Sequence, residues 1–269
     1  QGLVQASDAA RLIYFTPSPL SSSGRVAFVF PGSGNAFPRM GRTLLAVFPD
    51  VLRRQQAEND DLPEQLKVAA YWGNRRLDVD HKSMIFAQVA LGTAICDLLA
   101  LFGVRPSASI GYSLGESAAF FGLRAWTDRD EMLQRMQQSP LFGSDLVDPF
   151  DAARKAWNIP EGEPVPWFAG VVDRSAVEVR AAIERLRQSQ GMERLYLLIV
   201  NTPRQCVIGG DRSQVEALVQ NLNATVGPLV APITVHCDVL RQVEPAYRDL
   251  HLMRTTVPAV ETAQGTKVI

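Results

Sequence analysis

The chain has 269 residues, of which 46% are hydrophobic and 20% are charged, a composition typical of a folded globular protein and not of a disordered one. Its net charge is −1, since 27 Lys and Arg balance 28 Asp and Glu, so no overall field favours nucleic acid or an anionic membrane as a partner. No apolar run approaches the roughly 18 residues expected of a membrane span. We expect one large domain, alone or with a smaller domain inserted in it.

Three cysteines, Cys96, Cys206 and Cys237, are odd in number and lack C-x-x-C spacing. They indicate neither a disulfide framework nor a zinc site, and a reducing cytoplasm fits them best. Residues 1–20 have no basic segment followed by an apolar one, so they do not resemble a signal peptide. Because the first residue is Gln, we expect the chain to be a piece of a longer one.

The predicted elements of the first half alternate between strand and helix. Residues 1–24 end in a Pro, Ser and Gly-rich run typical of a linker. The elements after this linker are, in chain order, a buried strand at 26–30 followed by a Gly-rich turn, a buried helix at 84–102, a strand at 107–110 and a helix at 116–124. This alternation predicts an α/β fold with a parallel sheet.

The pattern changes between residues 149 and 235. The predicted elements there are a strand at 167–172, a helix at 175–189, strands at 195–200 and 205–208, a helix at 213–222 and a strand at 229–235. This β-α-β-β-α-β order is ferredoxin-like and predicts a small subdomain at 149–235, inserted in a large subdomain formed by 25–148 and 236–269.

The sequence Gly111-Tyr112-Ser113-Leu114-Gly115 is a G-x-S-x-G motif between a predicted strand and a predicted helix. The sharp turn leaves no room for side chains at the glycines, and the helix directs its first N–H groups toward the serine. Ser113 is therefore the candidate nucleophile, although a Gly-rich turn with an incidental serine remains the alternative reading.

A serine nucleophile needs a base, and the chain has three histidines: His81, His236 and His251. His236 follows the apolar run 230–235, which places it at the carboxyl end of a predicted strand, where catalytic side chains collect. His81 lies in a polar turn and His251 in a helical pattern. We predict that His236 is the base.

Several further motifs occur in a fixed order along the chain. They are F-P-G-S-G at 30–34, F-A-Q-V-A-L at 86–91, G-V-R-P at 103–106, G-Y-S-L-G-E at 111–116, V-N-T-P at 200–203, V-I-G-G at 207–210, H-C at 236–237 and E-P at 244–245. With this set the chain resembles the acyltransferase domains of fatty-acid and polyketide synthases, relatives of malonyl-CoA:acyl carrier protein transacylase. Within that family it is most similar to the iterative, polyunsaturated-fatty-acid type.

The resemblance implies a large α/β-hydrolase-like subdomain with an inserted ferredoxin-like one. It implies that Ser113 attacks an acyl thioester, that His236 transfers the proton, and that the backbone N–H groups of Ser33 and Leu114 form the oxyanion hole. Asn201 would be a positioning residue at the cleft, or a plain turn asparagine. The family also has a further strand and helix after the point that matches residue 269, so we expect the large subdomain to be incomplete at its C-terminal end.

The implied substrates are acyl-CoA and a carrier-bound phosphopantetheine, with no bound cofactor and no metal. The implied partners are acyl carrier protein and neighbouring synthase domains.

Malonyl-type members of the family clamp the substrate carboxylate with an Arg at the position that Gln138 occupies here. A buried carboxylate without a cation is costly, so the difference favours an uncharged acyl group. Arg135 lies three residues earlier on the same helical face, within possible reach of the same pocket. Its charge would instead favour a substrate with a carboxylate. The tetrapeptide 233–236, with Val235 before the histidine, matches neither the malonyl nor the methylmalonyl pattern of the family.

The alternatives are a thioester hydrolase that uses the same Ser-His pair, a malonyl-specific transacylase and a non-catalytic domain that docks carrier protein.

Overall fold

The computed structural model describes residues 24–73 and 80–256, together with the backbone of three two-residue strands at 7–8, 13–14 and 267–268. The strands are β1 Ser7–Asp8, β2 Ile13–Tyr14, β3 Ala27–Phe30, β4 Ala108–Gly111, β5 Trp167–Val172, β6 Leu195–Thr202, β7 Gln205–Asp211, β8 Val226–Pro228 and β9 Lys267–Val268. Apart from β1 and β2, which pair with each other, the linker predicted at 1–24 lies outside the described residues, as does most of the chain after residue 256.

Among the described residues, in chain order, five helices lie between β3 and β4, three between β4 and β5, two among the strands β5 to β8, and one between β8 and β9. They are α1 Arg42–Val47, α2 Pro49–Glu58, α3 Leu62–Gln65, α4 Val68–Tyr71, α5 His81–Leu101, α6 Leu114–Gly122, α7 Arg129–Gln138, α8 Asp151–Trp157, α9 Ala176–Gln190, α10 Arg212–Asn221 and α11 Glu244–His251, with single turns of π-helix at Leu141–Asp145 and of 3-10 helix at Asp238–Gln242.

The first sheet is parallel and has the order β3-β4-β9. Phe28 and Phe30 alternate into the core while Val29 faces outward, as the pleat requires. Phe30 pairs with Gly111, so β3 and β4 end at the same edge of the sheet. The turns that follow these two strands therefore lie side by side, and they carry the predicted oxyanion and nucleophile motifs.

Helix α5 is the central helix of the large subdomain. Its N-terminus is capped by the Asp80 carboxylate, which accepts a hydrogen bond of 2.6 Å from the Ser83 N–H. Contrary to the expectation from sequence, its 21 residues are long and apolar enough to cross a membrane by length and composition. However, 56% of its most apolar window is buried inside the protein, which is the position of a core helix.

The second sheet is antiparallel and has the order β6-β7-β5-β8. Helices α9 and α10 pack on it around a separate core that includes Val172, Val179 and Ile208. The order of elements from β5 to β8 is the one that the sequence predicts.

The strand predicted at 229–235 is wrong. The last strand of this sheet is β8, Val226–Pro228, and the following residues have no regular structure. Pro228 and Pro232 lack the N–H that a continuing ladder needs, so the pairing ends after one hydrogen bond from Leu229 N–H to the Ala169 carbonyl, at 3.0 Å.

An aromatic stack within residues 149–235 belongs to the main hydrophobic core. Trp167 on β5 stacks on Trp157 of α8 and on Tyr196 of β6, with ring centroids 5.6 and 6.1 Å apart. The Trp157 indole N–H donates to the Tyr196 hydroxyl at 3.0 Å. Trp157 and Trp167 are buried in the same core cluster as Phe28 and Phe30 of β3, so α8 and β5 pack against the elements of the first sheet.

Candidate active site

Ser113 lies in a strained turn between β4 and α6. Its backbone has φ 52° and ψ −115°, a conformation that non-glycine residues rarely adopt. A Cβ on Gly111 would lie 2.2 Å from the Glu116 nitrogen, and one on Gly115 would lie 2.1 Å from the Phe30 carbonyl oxygen. The glycines of the motif are therefore required by close backbone contacts, and the turn has the geometry expected of a nucleophile elbow.

The Ser113 hydroxyl is within hydrogen-bond distance of His236. Ser113 Oγ and His236 Nε2 are 3.0 Å apart, although the two residues are 123 positions apart in the chain. His236 also has a positive φ, 66°. The backbone two residues before His236 is fixed by a hydrogen bond, because the Thr234 N–H donates to the Leu146 carbonyl at 2.8 Å. This pair is the arrangement that a serine nucleophile and its base require.

The surroundings of His236 favour its neutral form. One side of the residue reaches solvent, but partial burial of the ring lowers its pKa below the ordinary histidine value, and the Glu116 carboxylate opposes that effect. A histidine with a lowered pKa is unprotonated at neutral pH and able to accept the serine proton.

The turn after β3 is fixed from helix α5. The Gln88 side-chain amide donates to the Gly32 carbonyl at 2.5 Å, and its oxygen accepts from the Asn35 N–H at 3.2 Å. Ser33 thereby lines the same cavity as Ser113. Leu114 is the first residue of α6, where backbone N–H groups have no partner within the helix. Both predicted oxyanion donors thus border the space in front of the serine.

A cavity of about 330 Å³ opens at the Ser113–His236 pair. Most of its wall is apolar or aromatic. The residues that line it are Ser33, Ile85, Phe86, Val89, Ser113, Leu114, Glu116, Ser117, Phe120, Phe121, Trp126, Met132, Met136, Phe142, Ile233, Val235, His236, Tyr247, Leu250 and His251. No Lys or Arg is among these lining residues, and Glu116 carries the one carboxylate among them.

The structure does not bring Arg135 or Gln138 into this cavity. Both line a separate, open depression on the other side of α7. The Arg135 guanidinium donates to the carbonyls of Asp249 and Leu252, at 2.9 and 3.0 Å, and pairs with Glu131. On α7 it is instead Met132 and Met136 that face the cavity.

Of the two remaining predicted site residues, one lines the cavity and the other does not. Val235 is buried in the cavity wall directly before the histidine. Asn201 is outside the cavity, at the end of β6, where its side-chain oxygen accepts a hydrogen bond of 2.9 Å from the Tyr112 hydroxyl.

His251 lies in a helix, α11, as predicted, whereas His81 differs from its prediction. His251 lines the cavity, and its Nδ1 donates to the Tyr247 carbonyl at 2.7 Å. His81 is the first residue of α5 rather than a turn residue, and it does not line the cavity. Sequence reasoning missed the contribution of His251, Trp126, Met132 and Met136. The spacing of the two methionines by four residues, on one helical face, was the available signal.

Within residues 24–73 and 80–256, no three His, Cys, Asp or Glu side chains lie together in a way that would hold a metal ion.

Comparison with known proteins gives a consistent picture. No protein-family model matches the chain. Over 240 residues, 82% of its length, it is 27% identical to the highly reducing polyketide synthase PKS6 of Gibberella zeae, of which it spans only 9%.

Its fold is similar to the acyltransferase domain from the second module of the salinomycin polyketide synthase, with a TM-score of 0.65 and 24% identity over 88% of this chain and 52% of that one. It is also similar to a malonyl-transacylase solved in complex with its type II acyl-carrier protein, with a TM-score of 0.66 and 22% identity over 87% of this chain and 72% of that one. These findings confirm the resemblance to synthase acyltransferase domains that the sequence motifs indicate.

Proposed function

We propose that this chain, which has the fold of synthase acyltransferase domains, is a serine acyltransferase that moves an acyl group from acyl-CoA to the phosphopantetheine thiol of an acyl carrier protein. The observation that carries the proposal is the 3.0 Å contact between Ser113 Oγ and His236 Nε2 at the mouth of an apolar cavity. The resemblance to synthase domains supports carrier protein and neighbouring synthase domains as partners, in the cytoplasm. The strand order of the small subdomain supports the ferredoxin-like interpretation.

The reaction has two halves. In the first, Ser113 Oγ attacks the thioester carbonyl carbon while His236 Nε2 takes the hydroxyl proton, and the backbone N–H groups of Ser33 and Leu114 stabilise the oxyanion. The carbon–sulfur bond then breaks, and the imidazolium returns the proton to the leaving thiolate. In the second half, the carrier thiol gives its proton to His236 and its sulfur attacks the carbonyl carbon of the acyl-serine. The bond from that carbon to Ser113 Oγ then breaks, and the imidazolium returns the proton to Oγ, which regenerates the free hydroxyl.

The cavity favours an uncharged acyl group. A malonyl carboxylate would find no Lys or Arg among the lining residues and would face the carboxylate of Glu116. An unpaired buried charge costs several kcal/mol, whereas an aliphatic chain gains from burial against the same wall. The malonyl-specific alternative therefore has less support than the uncharged one.

Hydrolysis is the second candidate function. His236 is exposed on one side, so water has a route to the acyl-serine, and the two activities differ only in which nucleophile attacks it. A third candidate, a non-catalytic domain that only docks carrier protein, has less support, because the Ser113–His236 contact is intact.

The test is a two-stage assay. The protein is incubated with octanoyl-CoA or malonyl-CoA, freed of excess donor, and given carrier protein that bears phosphopantetheine. We expect octanoyl-carrier as the main product, little malonyl transfer, and no transfer with Ser113→Ala. Ser117→Ala, which changes a hydroxyl one helical turn away in the same cavity wall, is the matched control and should retain transfer. Release of free octanoate with no acyl-carrier would establish the hydrolase instead, and preferred malonyl transfer would contradict the uncharged substrate.

A further inference from the structure

The cavity follows helix α6 away from the nucleophile. It is bordered by Ser113 immediately before the helix and by Phe120 and Phe121 near its end. At a rise of 1.5 Å per residue, the seven residues from Ser113 to Phe120 correspond to about 10 Å along the helix axis. One continuous cavity therefore reaches from the reacting hydroxyl deep into the core of the large subdomain.

Trp126 borders the cavity beside Phe120, near the end of α6, and two methionines line it from α7. Trp126 stacks on Phe120 with ring centroids 4.7 Å apart, and its indole N–H donates to the Thr255 hydroxyl at 3.0 Å. Met132 and Met136 come from one face of α7. Trp126, Met132 and Met136 are each less than 10% exposed, so the cavity ends in protein and not in solvent.

The chemistry of the wall changes along its length. The polar groups Glu116 and Ser117 lie within about one helical turn of Ser113, whereas the wall farther along the helix is aromatic and aliphatic. Trp126 is held by its hydrogen bond, while methionine side chains are flexible and adapt to the shape of an apolar ligand. The wall is suited to the terminal methylene groups of a hydrocarbon chain.

We propose that the cavity is a tunnel for an aliphatic acyl chain of medium length, and that Trp126, Met132 and Met136 set the chain length. The proposal rests on acylation of Ser113. The distance of about 10 Å along the helix from Ser113 to Phe120 is about that spanned by an extended octanoyl chain. The volume of about 330 Å³ is at the small end of the range of ligand pockets, roughly 300–1,000 Å³, and so fits a chain better than a bulky polycyclic group.

Competition between CoA thioesters tests the proposal. Acetyl-, octanoyl- and palmitoyl-CoA are mixed in equal amounts, and the mass added to Ser113 is measured at early times. For the wild-type protein we expect octanoyl to load at least about tenfold faster than palmitoyl, since a closed pocket discriminates by roughly tenfold or more for groups that do not fit.

Two substitutions of Met136 change the space inside the cavity in opposite directions. Met136→Trp should reduce octanoyl loading by about tenfold while acetyl loading stays within about twofold, because the larger ring takes up space that only a longer chain needs. Met136→Ala should shift the preference toward palmitoyl. The matched control is Gln134→Trp, which adds the same side chain to an exposed position of α7 and should leave the profile unchanged.

The possible outcomes distinguish failure of the tunnel proposal from failure of the proposed function. Equal chain-length profiles for the wild-type protein and both Met136 variants, or a wild-type preference for palmitoyl, would overturn the tunnel while leaving acylation of Ser113 intact. Absence of any acyl group on Ser113 with all three donors would overturn the proposed function and the tunnel together. Retained acetyl loading in Met136→Trp shows that this variant is folded.

Discussion

Tyr112, the residue before the nucleophile, donates a hydrogen bond of 2.9 Å to the side-chain oxygen of Asn201 on the small subdomain. Its ring lies over Gly32, where an added Cβ would be 2.6 Å from Tyr112 Cδ1. Asn201 in turn donates to the Gln205 side-chain oxygen at 3.2 Å. One side chain therefore connects the turn that carries Ser113, the turn after β3 and the end of β6.

Tyr112→Phe removes this hydrogen bond and keeps the ring over Gly32. A net hydrogen bond contributes about 0.5–1.5 kcal/mol, so we expect kcat/KM for the carrier to fall by roughly two- to tenfold with little change in Tm. Steady-state transfer assays and thermal unfolding measure the two quantities. Tyr112→Ala, which also uncovers the oxyanion turn, should be slower than Tyr112→Phe. Identical transfer kinetics for Tyr112→Phe and the wild-type protein would show that the bond does not position the site.

Gly115→Ala tests the close contact between the elbow and β3. The new methyl group would lie 2.1 Å from the Phe30 carbonyl oxygen, so the backbone must shift. We expect a loss of roughly 2–4 kcal/mol in the free energy of unfolding, measured by urea denaturation. Gly92→Ala in helix α5 is the control. The new Cβ would lie 3.8 Å from the nearest heavy atom, Ala118 Cβ, which is an ordinary contact, and Ala is a better helix former than Gly. A stable Gly115→Ala variant would contradict the proposed role of this glycine.

The pH dependence of acylation should report His236. Burial lowers the pKa of its imidazole and the Glu116 carboxylate raises it, and the neutral form is the active one. Acylation should therefore fall only as the pH drops through a midpoint below the ordinary histidine pKa of about 6.5. In Glu116→Gln the raising charge is removed, so the midpoint should move to a lower pH still. Plots of kcat/KM against pH for both proteins give the midpoints, and an upward shift in the variant would be inconsistent with this electrostatic arrangement.

The sequence predicted correctly the elements that depend mainly on residues close together in the chain. The strand at 167–172 has the bounds of β5, because its apolar run is closed by residues that end a strand. The elbow at Ser113 followed from the glycines on either side of it, which the backbone contacts require. The choice of His236 among three histidines relied on a predicted strand at 229–235 that does not form, yet His236 is the histidine that contacts Ser113.

Long-range packing decided what the sequence did not predict. Arg135 and Gln138 are close in sequence to the cavity-facing Met136, but the Arg135 guanidinium is held by the carbonyls of Asp249 and Leu252, more than 110 residues away. Which face of α7 meets the substrate depends on where α11 packs, and no local pattern records that. The same packing places His251 in the cavity wall.

Acylation of Ser113 is measured by the mass of the peptide that contains it, after brief incubation of the protein with octanoyl-CoA and digestion. We expect an octanoyl group on Ser113 in the wild-type protein, no adduct in Ser113→Ala, and at least about a hundredfold slower acylation in His236→Ala, because general-base assistance is typically worth 10²–10⁴ in rate. An adduct on another residue that persists in Ser113→Ala, or equally fast acylation without the imidazole, would contradict the proposed mechanism.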